Sequence, residues 1–350
     1  MSARKVPQSL IDEASRLYAV SHSINIVARQ MGVDNSTISR YLRKAGIECN
    51  GHFRREIDPQ PLPSANLDVH EIIAFREKQF EQKQIFKQQN KWREIKINTT
   101  DPVVLIFFGD PHLDDDGMNW PLLKEHIALS KLPNVYGINV GDTTNNWAGK
   151  LVRLYAHQDL GVESARKLAK WFLCEAGIKW FCWIFGNHDQ WADGGTILEL
   201  MNTEGVVMED WQARVTAIFP TGLKVPIWIA HNFPGNSQWN LLHGPMKAAK
   251  MRGGAAIYAC GDLHTWGLHH EELPDTGEIF WAIRSRGYKY IDHYAHTRGF
   301  PQLQHGASIA AVIDPQASTP IESVVCFADP AKAVQYQKAI LHARKKESAL

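Results

Sequence analysis

Aspartate, histidine and asparagine recur in five short segments, each closing an apolar run. They are Gly109-Asp110-Pro111-His112, Gly141-Asp142-Thr143-Thr144-Asn145, Gly186-Asn187-His188-Asp189, Ala230-His231-Asn232 and Cys260-Gly261-Asp262-Leu263-His264. Carboxylate, imidazole and amide oxygen together suit a divalent cation that accepts both nitrogen and oxygen. One such segment says little. Five in order point to a metal centre.

The preceding runs are the elements that must position these groups. Val103 to Phe108, Trp180 to Phe185, Ile227 to Ala230 and Ala256 to Cys260 are short, apolar and rich in β-branched or aromatic residues. Each reads as a buried strand that delivers a polar side chain at its tip. Open α/β sheets carry their sites at the carboxyl ends of strands, so the five segments are expected to share one crevice.

The ordered set D-x-H, G-D-x-x-N, G-N-H-D, H and G-D-x-H resembles the calcineurin-like metallophosphoesterase superfamily over roughly residues 101–315. The resemblance implies an α/β fold, a two-sheet sandwich flanked by helices. It also implies two divalent cations roughly 3.5–4 Å apart that polarise a phosphoryl group and activate a water. Asp142 would be shared between them. Asp110, His112 and His264 would complete the first site, and Asn187, His231 and Asp262 the second. The family usually has histidine at the position of Asp262, in a G-H-x-H motif. A carboxylate there is a harder ligand, so Mn²⁺ or Mg²⁺ is favoured over Zn²⁺, with Mn²⁺ first and Fe²⁺ and Zn²⁺ left open.

By the same resemblance His188 is not a ligand but stabilises the transition state or protonates the leaving alkoxide, a role suited to imidazole. Protein phosphatases of the superfamily orient that histidine with an aspartate where this chain has Asn145, and follow it with arginine where Asn146 stands. Their Gly-Asn-His-Glu is here Gly-Asn-His-Asp, so diesterases and nucleases are the closer match. Asp142, Asn145 and His188 form the expected catalytic set, with Asp189 as a hydrogen-bond acceptor behind the ligands.

A length of 350 residues allows two domains, and a net charge of +1 excludes a chain that is basic or acidic throughout. Five cysteines without a C-x-x-C pair read as reduced thiols. No stretch approaches the length of a membrane span, and the polar N-terminal residues are no secretory signal, so a cytoplasmic protein (bacterial, or in a phage-infected host) without a membrane partner is expected.

Residues 1–50 carry a second pattern. Pro7-Gln8-Ser9 opens a helix, another starts near Ile24 and stops at Gly32, and Val33-Asp34-Asn35-Ser36 starts a third. Ala28 stands four residues before Gly32. A small residue, three spacers, glycine and a polar-capped helix resemble the helix-turn-helix of resolvase-type recombinases, where glycine makes the tight turn. This implies a small all-α domain ahead of the sandwich, with Asn35, Ser36, Thr37, Ser39, Arg40, Arg43 and Lys44 facing a major groove. Basic residues outnumber acidic ones over 1–50. A small bundle that contacts protein is the rival explanation.

Residues 51–100 read as a proline-bearing linker and then a helical connector, expected to pack one face on the catalytic domain. A homodimer through this helix stays open. Residues 316–350 read as a strand and an exposed terminal helix. Arg284, Arg286 and Lys289, among Tyr288 and Tyr290, fit a phosphate backbone with stacked bases, though a charged sheet edge gives the same pattern. Asn236, Gln238, Trp239 and Asn240, after His231, are further substrate candidates. The expectation is a metal-dependent phosphoester hydrolase with DNA as partner and substrate, a nuclease or phosphodiesterase, in an arrangement that resembles bacteriophage proteins. A phosphomonoesterase or small-nucleotide diesterase, and a DNA-binding regulator with an inactive metal centre, are the alternatives.

Overall fold

A computed structural model describes residues 6–21, 23–47, 68–89, 92–192, 194–235, 237, 239–291 and 303–347. The chain divides into two compact units, Met1–Gln82 and Lys83–Leu350.

The first unit holds α1 (Gln8–Ser21), α2 (Ile24–Met31) and α3 (Asn35–Lys44). Ile11, Ala14, Val27, Ala28, Ile38, Tyr41 and Leu42 form its core. Gly32 ends α2 in the left-handed region at φ 65 and bonds back to the Ala28 carbonyl, a turn that glycine makes without steric cost. Asp34 then caps α3, its carboxylate accepting the Thr37 N–H at 2.8 Å. Next comes α4 (Val69–Gln89). None of its described side chains is buried, and Ile73, Phe80 and Ile85 are exposed. The linker 51–67 lies outside the described residues.

In the second unit the described residues form two six-stranded sheets. One is built from β1 (Arg93–Lys96), β6 (Gln212–Ile218), β7 (Lys224–Ala230), β8 (Ile257–Cys260), β9 (Gly267–Glu272) and β10 (Ile279–Arg284), in the order β1-β6-β7-β8-β10-β9. The other holds β2 (Val103–Phe108), β3 (Val135–Asn139), β4 (Trp180–Phe185), β5 (Val207–Asp210), β11 (Ile309–Ile313) and β12 (Val324–Phe327), in the order β12-β11-β2-β3-β4-β5.

The central strands are buried on both faces, and strand periodicity sorts their residues. Val103, Leu105 and Phe107 of β2 pack between the sheets with Ile227 and Ile229 of β7 and Ile257 of β8. Their neighbours Val104, Ile106 and Phe108 turn outward, against Leu123 and Ile127 of α5 (Trp120–Ser130). On the far side Trp228, Tyr258 and Phe280 meet Ala249 of the helix His243–Arg252. The architecture is thus the expected α/β two-sheet sandwich flanked by helices. Each fully buried aliphatic or aromatic side chain contributes roughly 1.5–3 kcal/mol.

The sandwich extends past both sequence boundaries. β1 lies before residue 101 and pairs parallel with β6, Arg93 opposite Val215; as a short charged edge strand it has no apolar run to announce it. The helix Pro330–Glu347 is likewise integral rather than exposed. It buries Ala333 and Val334, and Gln337 donates to the Pro102 carbonyl at 2.8 Å.

Because β2, β3 and β4 run parallel, as do β7 and β8, their carboxyl ends gather at one edge. Across that edge the His231 N–H donates to the Trp211 carbonyl at 2.7 Å, and the Trp211 N–H to that of Phe185 at 3.1 Å, stitching β7 to β4.

Candidate metal centre

Each donor sits one to four residues beyond a strand end, and most occupy backbone that side chains avoid. Asp110 (φ 34), His112 (φ 42), Asp142 (φ 53), Asp262 (φ 70) and His264 (φ 48) all lie in the left-handed region. Such residues cost about 1 kcal/mol or more each and persist only where the surroundings fix them. Here they are fixed by hydrogen bonds between the strand tips. The Asp262 N–H donates to Asp110 Oδ2 at 2.8 Å, and the Asp142 N–H to Asp189 Oδ2 at 2.7 Å. Gly186 leaves the space that Asp142 needs, since a Cβ there would fall 2.1 Å from Asp142 Oδ1.

His231 stands at the middle of the cluster. Its Nδ1 donates to the Val140 carbonyl at 2.9 Å, which leaves Nε2 facing the other donors. Nε2 lies 3.2 Å from Asn187 Oδ1, 3.4 Å from Asp142 Oδ2 and 3.6 Å from Asp262 Oδ1. These four residues are the second expected ligand set. On the other side of Asp142, His112 Nε2 is 3.8 Å from Asp142 Oδ2, and the His112 and His264 rings are 5.2 Å apart between centroids. Asp110 Oδ1 lies 3.6 Å from His231 Nδ1. Asp110 Oδ1 and both ring nitrogens of His112 are buried without a hydrogen-bond partner. Polar atoms buried this way are costly unless something binds them, so the donor set fits divalent cations.

The charges tell the same story. Burial drives Asp110 well above the ordinary carboxylate value and His112 well below that of imidazole. Burial also opposes the charge on Asp142, but His231, His188 and His112 together hold its carboxyl below the ordinary value. Against burial, Asp142, Asp262 and Asp110 raise His231 well above its usual range.

His188 Nε2 also lies 3.8 Å from Asp142 Oδ2, and its Nδ1 bonds the backbone carbonyl of Asn145. Trp191 and Trp147 flank its ring, with centroids 4.1 and 5.1 Å away. The Asn145 side chain does not reach His188. Its amide donates to Asp115 Oδ2 at 3.0 Å and Gln158 Oε1 at 3.1 Å, so its hold on the imidazole runs through the main chain. Asn146 braces the same loop by donating to the carbonyls of His188 and Trp191, each at 2.8 Å. Asp189 accepts the N–H groups of Asp142, Thr143 and Gly186 at 2.7, 2.9 and 2.9 Å, the supporting role expected of it.

Some supports had no local signal. Asn232 donates to Asp262 Oδ2 at 2.6 Å, and Asp114 accepts the Asn145 N–H at 2.7 Å.

The three cations read as phosphate contacts are placed otherwise. Arg284 is buried, and its guanidinium donates to the Leu241 carbonyl at 3.0 Å, to that of Gly261 and to Asn232 Oδ1 at 3.3 Å. Arg286 is buried too, over the Tyr290 ring and donating to the Gly306 carbonyl at 3.3 Å. Lys289 pairs with Asp115 at 2.9 Å. A run of cations and aromatics looks the same in sequence whether its charges meet solvent or protein groups; here they hold the site's scaffold. Of the loop candidates, Trp239 is almost wholly exposed, Asn240 is half-buried, and Asn236 and Gln238 lie outside the described residues.

In the N-terminal unit Asn35, Ser36, Arg40, Arg43 and Lys44 are exposed, and Thr37 and Ser39 half-buried. Asn35 donates to Asn25 Oδ1 at 2.6 Å, and the Ser36 and Thr37 hydroxyls bond the Asp34 carboxylate. The short polar residues thus start the helix, and the exposed charge lies with Arg40, Arg43 and Lys44.

No family model matches the chain, and no curated protein matches it. Among solved structures it is similar to the NAD nucleotidase (NadN) of Haemophilus influenzae, at 11% sequence identity and a TM-score of 0.35. The match covers 65% of this chain and 49% of that one, so this chain spans about half the length of its structural neighbour.

Proposed function

We propose that the chain is a phosphoester hydrolase dependent on two divalent cations, most readily Mn²⁺, and that its substrate is DNA. One observation carries the hydrolase reading: Asp142 stands within ligand reach of His112 and His188 on one side and of Asp110 and His231 on the other, with Asp110 Oδ1 and both His112 ring nitrogens buried and unsatisfied. Asp110, His112, Asp142 and His264 would hold one cation, and Asp142, Asn187, His231 and Asp262 the other. Bound there, the cations supply Lewis-acid stabilisation of the phosphoryl oxygens and activation of water.

The chain's own residues supply the rest. The Asn145 carbonyl fixes the Nδ1 hydrogen of His188, which leaves Nε2 turned toward Asp142 and the reacting group. As the water oxygen bonds to phosphorus and the ester P–O bond breaks, Nε2 of the imidazolium gives its proton to the departing oxygen. Trp147 and Trp191 limit the water around the imidazole. The exposed Arg40, Arg43 and Lys44 of α3, beside a capped turn that resembles a helix-turn-helix, support DNA as the substrate class.

A substrate panel with Mn²⁺-loaded protein tests this reading. Cleavage of bis-p-nitrophenyl phosphate and of plasmid or single-stranded DNA, without turnover of p-nitrophenyl phosphate, is expected. Monoester turnover alone would replace the DNA reading with a nucleotidase-type one. Absence of all hydrolysis at full metal loading would remove the enzyme reading.

A further inference from the structure

A cavity of 420 Å³ opens beside the metal centre, lined by Trp211, Gln212, Asn232, Lys247, Met251 and Arg252 among others. It adjoins the donors directly, since Asn232 is bonded to Asp262 and the Trp211 ring stands edge-on to His231 with centroids 5.3 Å apart.

Trp211, between β5 and β6, lies in the left-handed region at φ 61, an outlier for so bulky a residue. Its two backbone hydrogen bonds, to Phe185 and from His231, lock it there. That strained main chain holds a large aromatic ring 39% exposed at the cavity wall, where burial would otherwise be favoured. Strain maintained in this way is characteristic of ligand contacts.

Two cations stand on a wall that is otherwise largely aromatic and apolar, with Trp228, Phe233, Pro234 and Met251. They are Lys247 and Arg252 of the helix His243–Arg252, and the guanidinium carbon of Arg252 stands 5.4 Å from the centroid of Trp228. Among the described residues Lys247 and Arg252 form no ion pair with a carboxylate. An exposed indole with unneutralised cations, next to a phosphoryl-binding centre, matches a nucleotide: the base stacks and the phosphates meet the cations.

We propose that this cavity is the base-binding subsite for the nucleotide adjoining the scissile phosphate, with its base stacked on Trp211 and its outer phosphate facing Lys247 and Arg252. The proposal rests on the phosphodiesterase reading and adds where the substrate strand lies.

The test compares two substrates of the full-length Mn²⁺-loaded protein: a single-stranded oligodeoxynucleotide, and an abasic (tetrahydrofuran) oligomer of equal length. The wild type should show a KM roughly tenfold lower for the base-bearing strand. Trp211→Gly removes the ring at a φ that glycine adopts freely, so it should fold and bring the two KM values together. Lys247→Ala with Arg252→Ala should raise KM for both strands. Equal KM values in the wild type, or an undiminished difference in Trp211→Gly, would overturn the proposal. Should neither strand be cleaved, the hydrolase reading fails. Fluorescence anisotropy of the same strands on wild type and Trp211→Gly then decides the subsite alone: a base preference lost with the ring supports it, and one that persists ends it.

Discussion

The imidazole of His188 is held by the main-chain carbonyl of Asn145, while the Asn145 side chain points away to Asp115 and Gln158. The two positions therefore differ in what mutation removes. His188→Ala deletes the proposed proton donor and should lower phosphodiester turnover by roughly 10²–10⁴-fold, with metal content unchanged by elemental analysis. Asn145→Ala keeps the carbonyl and loses only the loop's side-chain bonds, so it should retain most of that activity. Equal losses in the two variants would show that the side chain, not the carbonyl, sets the ring.

Asp189 accepts three buried N–H groups, from Asp142, Thr143 and Gly186. Asp189→Ala strands all three, at roughly 1–3 kcal/mol for each unsatisfied group. A drop in unfolding free energy on the order of 3 kcal/mol or more, together with weaker metal binding because Asp142 loses its backbone anchor, is expected. Urea denaturation and calorimetric titration with Mn²⁺ measure the two effects. A variant of wild-type stability would mean that water replaces the carboxylate.

Much of this site is legible in the sequence because its donors follow apolar runs directly. Val103 to Phe108 announces β2, and two residues later stands Asp110. What stayed hidden depends on partners distant in sequence. Arg284 reads as a solvent-facing cation until its carbonyl partners at Leu241 and Gly261 are known. The terminal helix reads as exposed because Ala333 and Gln337 are not conspicuous apolar residues, yet both are buried. Trp211 carries no local sign of its left-handed backbone, since nothing but the junction of two sheets imposes it.

Asp262 stands where the resembling family has histidine, and Asn232 donates to its Oδ2 at 2.6 Å. Replacing it with imidazole removes the proposed hard oxygen ligand and leaves the Asn232 amide without its acceptor. Asp262→His should shift the preferred cation from Mn²⁺ toward Zn²⁺, measured as metal content after competition between the two ions. The companion Asn232→Ala should weaken Mn²⁺ binding without that shift in preference. Unchanged selectivity in Asp262→His would mean that Asp262 is not a ligand.

His126 provides a pH dependence away from the metal. It is buried, its Nδ1 lies 2.7 Å from the Tyr288 hydroxyl, and that hydroxyl lies 2.6 Å from Ser308 Oγ. Burial lowers its pKa to about 4 from an ordinary 6.5. Between these values the unfolded chain binds the proton and the folded one does not, so stability falls as pH drops from 6.5 toward 4. The loss amounts to an order-of-magnitude 3 kcal/mol, at about 1.4 kcal/mol per pH unit. Subtracting the stability–pH curve of His126→Phe from that of the wild type should isolate this slope. A flat difference curve would mean that the histidine titrates alike in both states.

The N-terminal unit makes the DNA reading testable apart from chemistry. On α3 the exposed charges are Arg40, Arg43 and Lys44, while Ser36 and Thr37 are occupied with the Asp34 cap. If each of the three cations neutralises one phosphate, their joint replacement by alanine should weaken duplex binding. The same change should reduce the slope of log K against log salt by about 2.7. Deleting residues 1–50 should do the same while sparing turnover of bis-p-nitrophenyl phosphate. Asp34→Ala is expected to weaken DNA binding differently, by loosening the start of α3, and so should lower the unit's thermal midpoint without changing the salt slope. An unaltered slope in the triple variant would move DNA recognition to the catalytic unit or remove it, and would favour a protein partner for the three-helix unit.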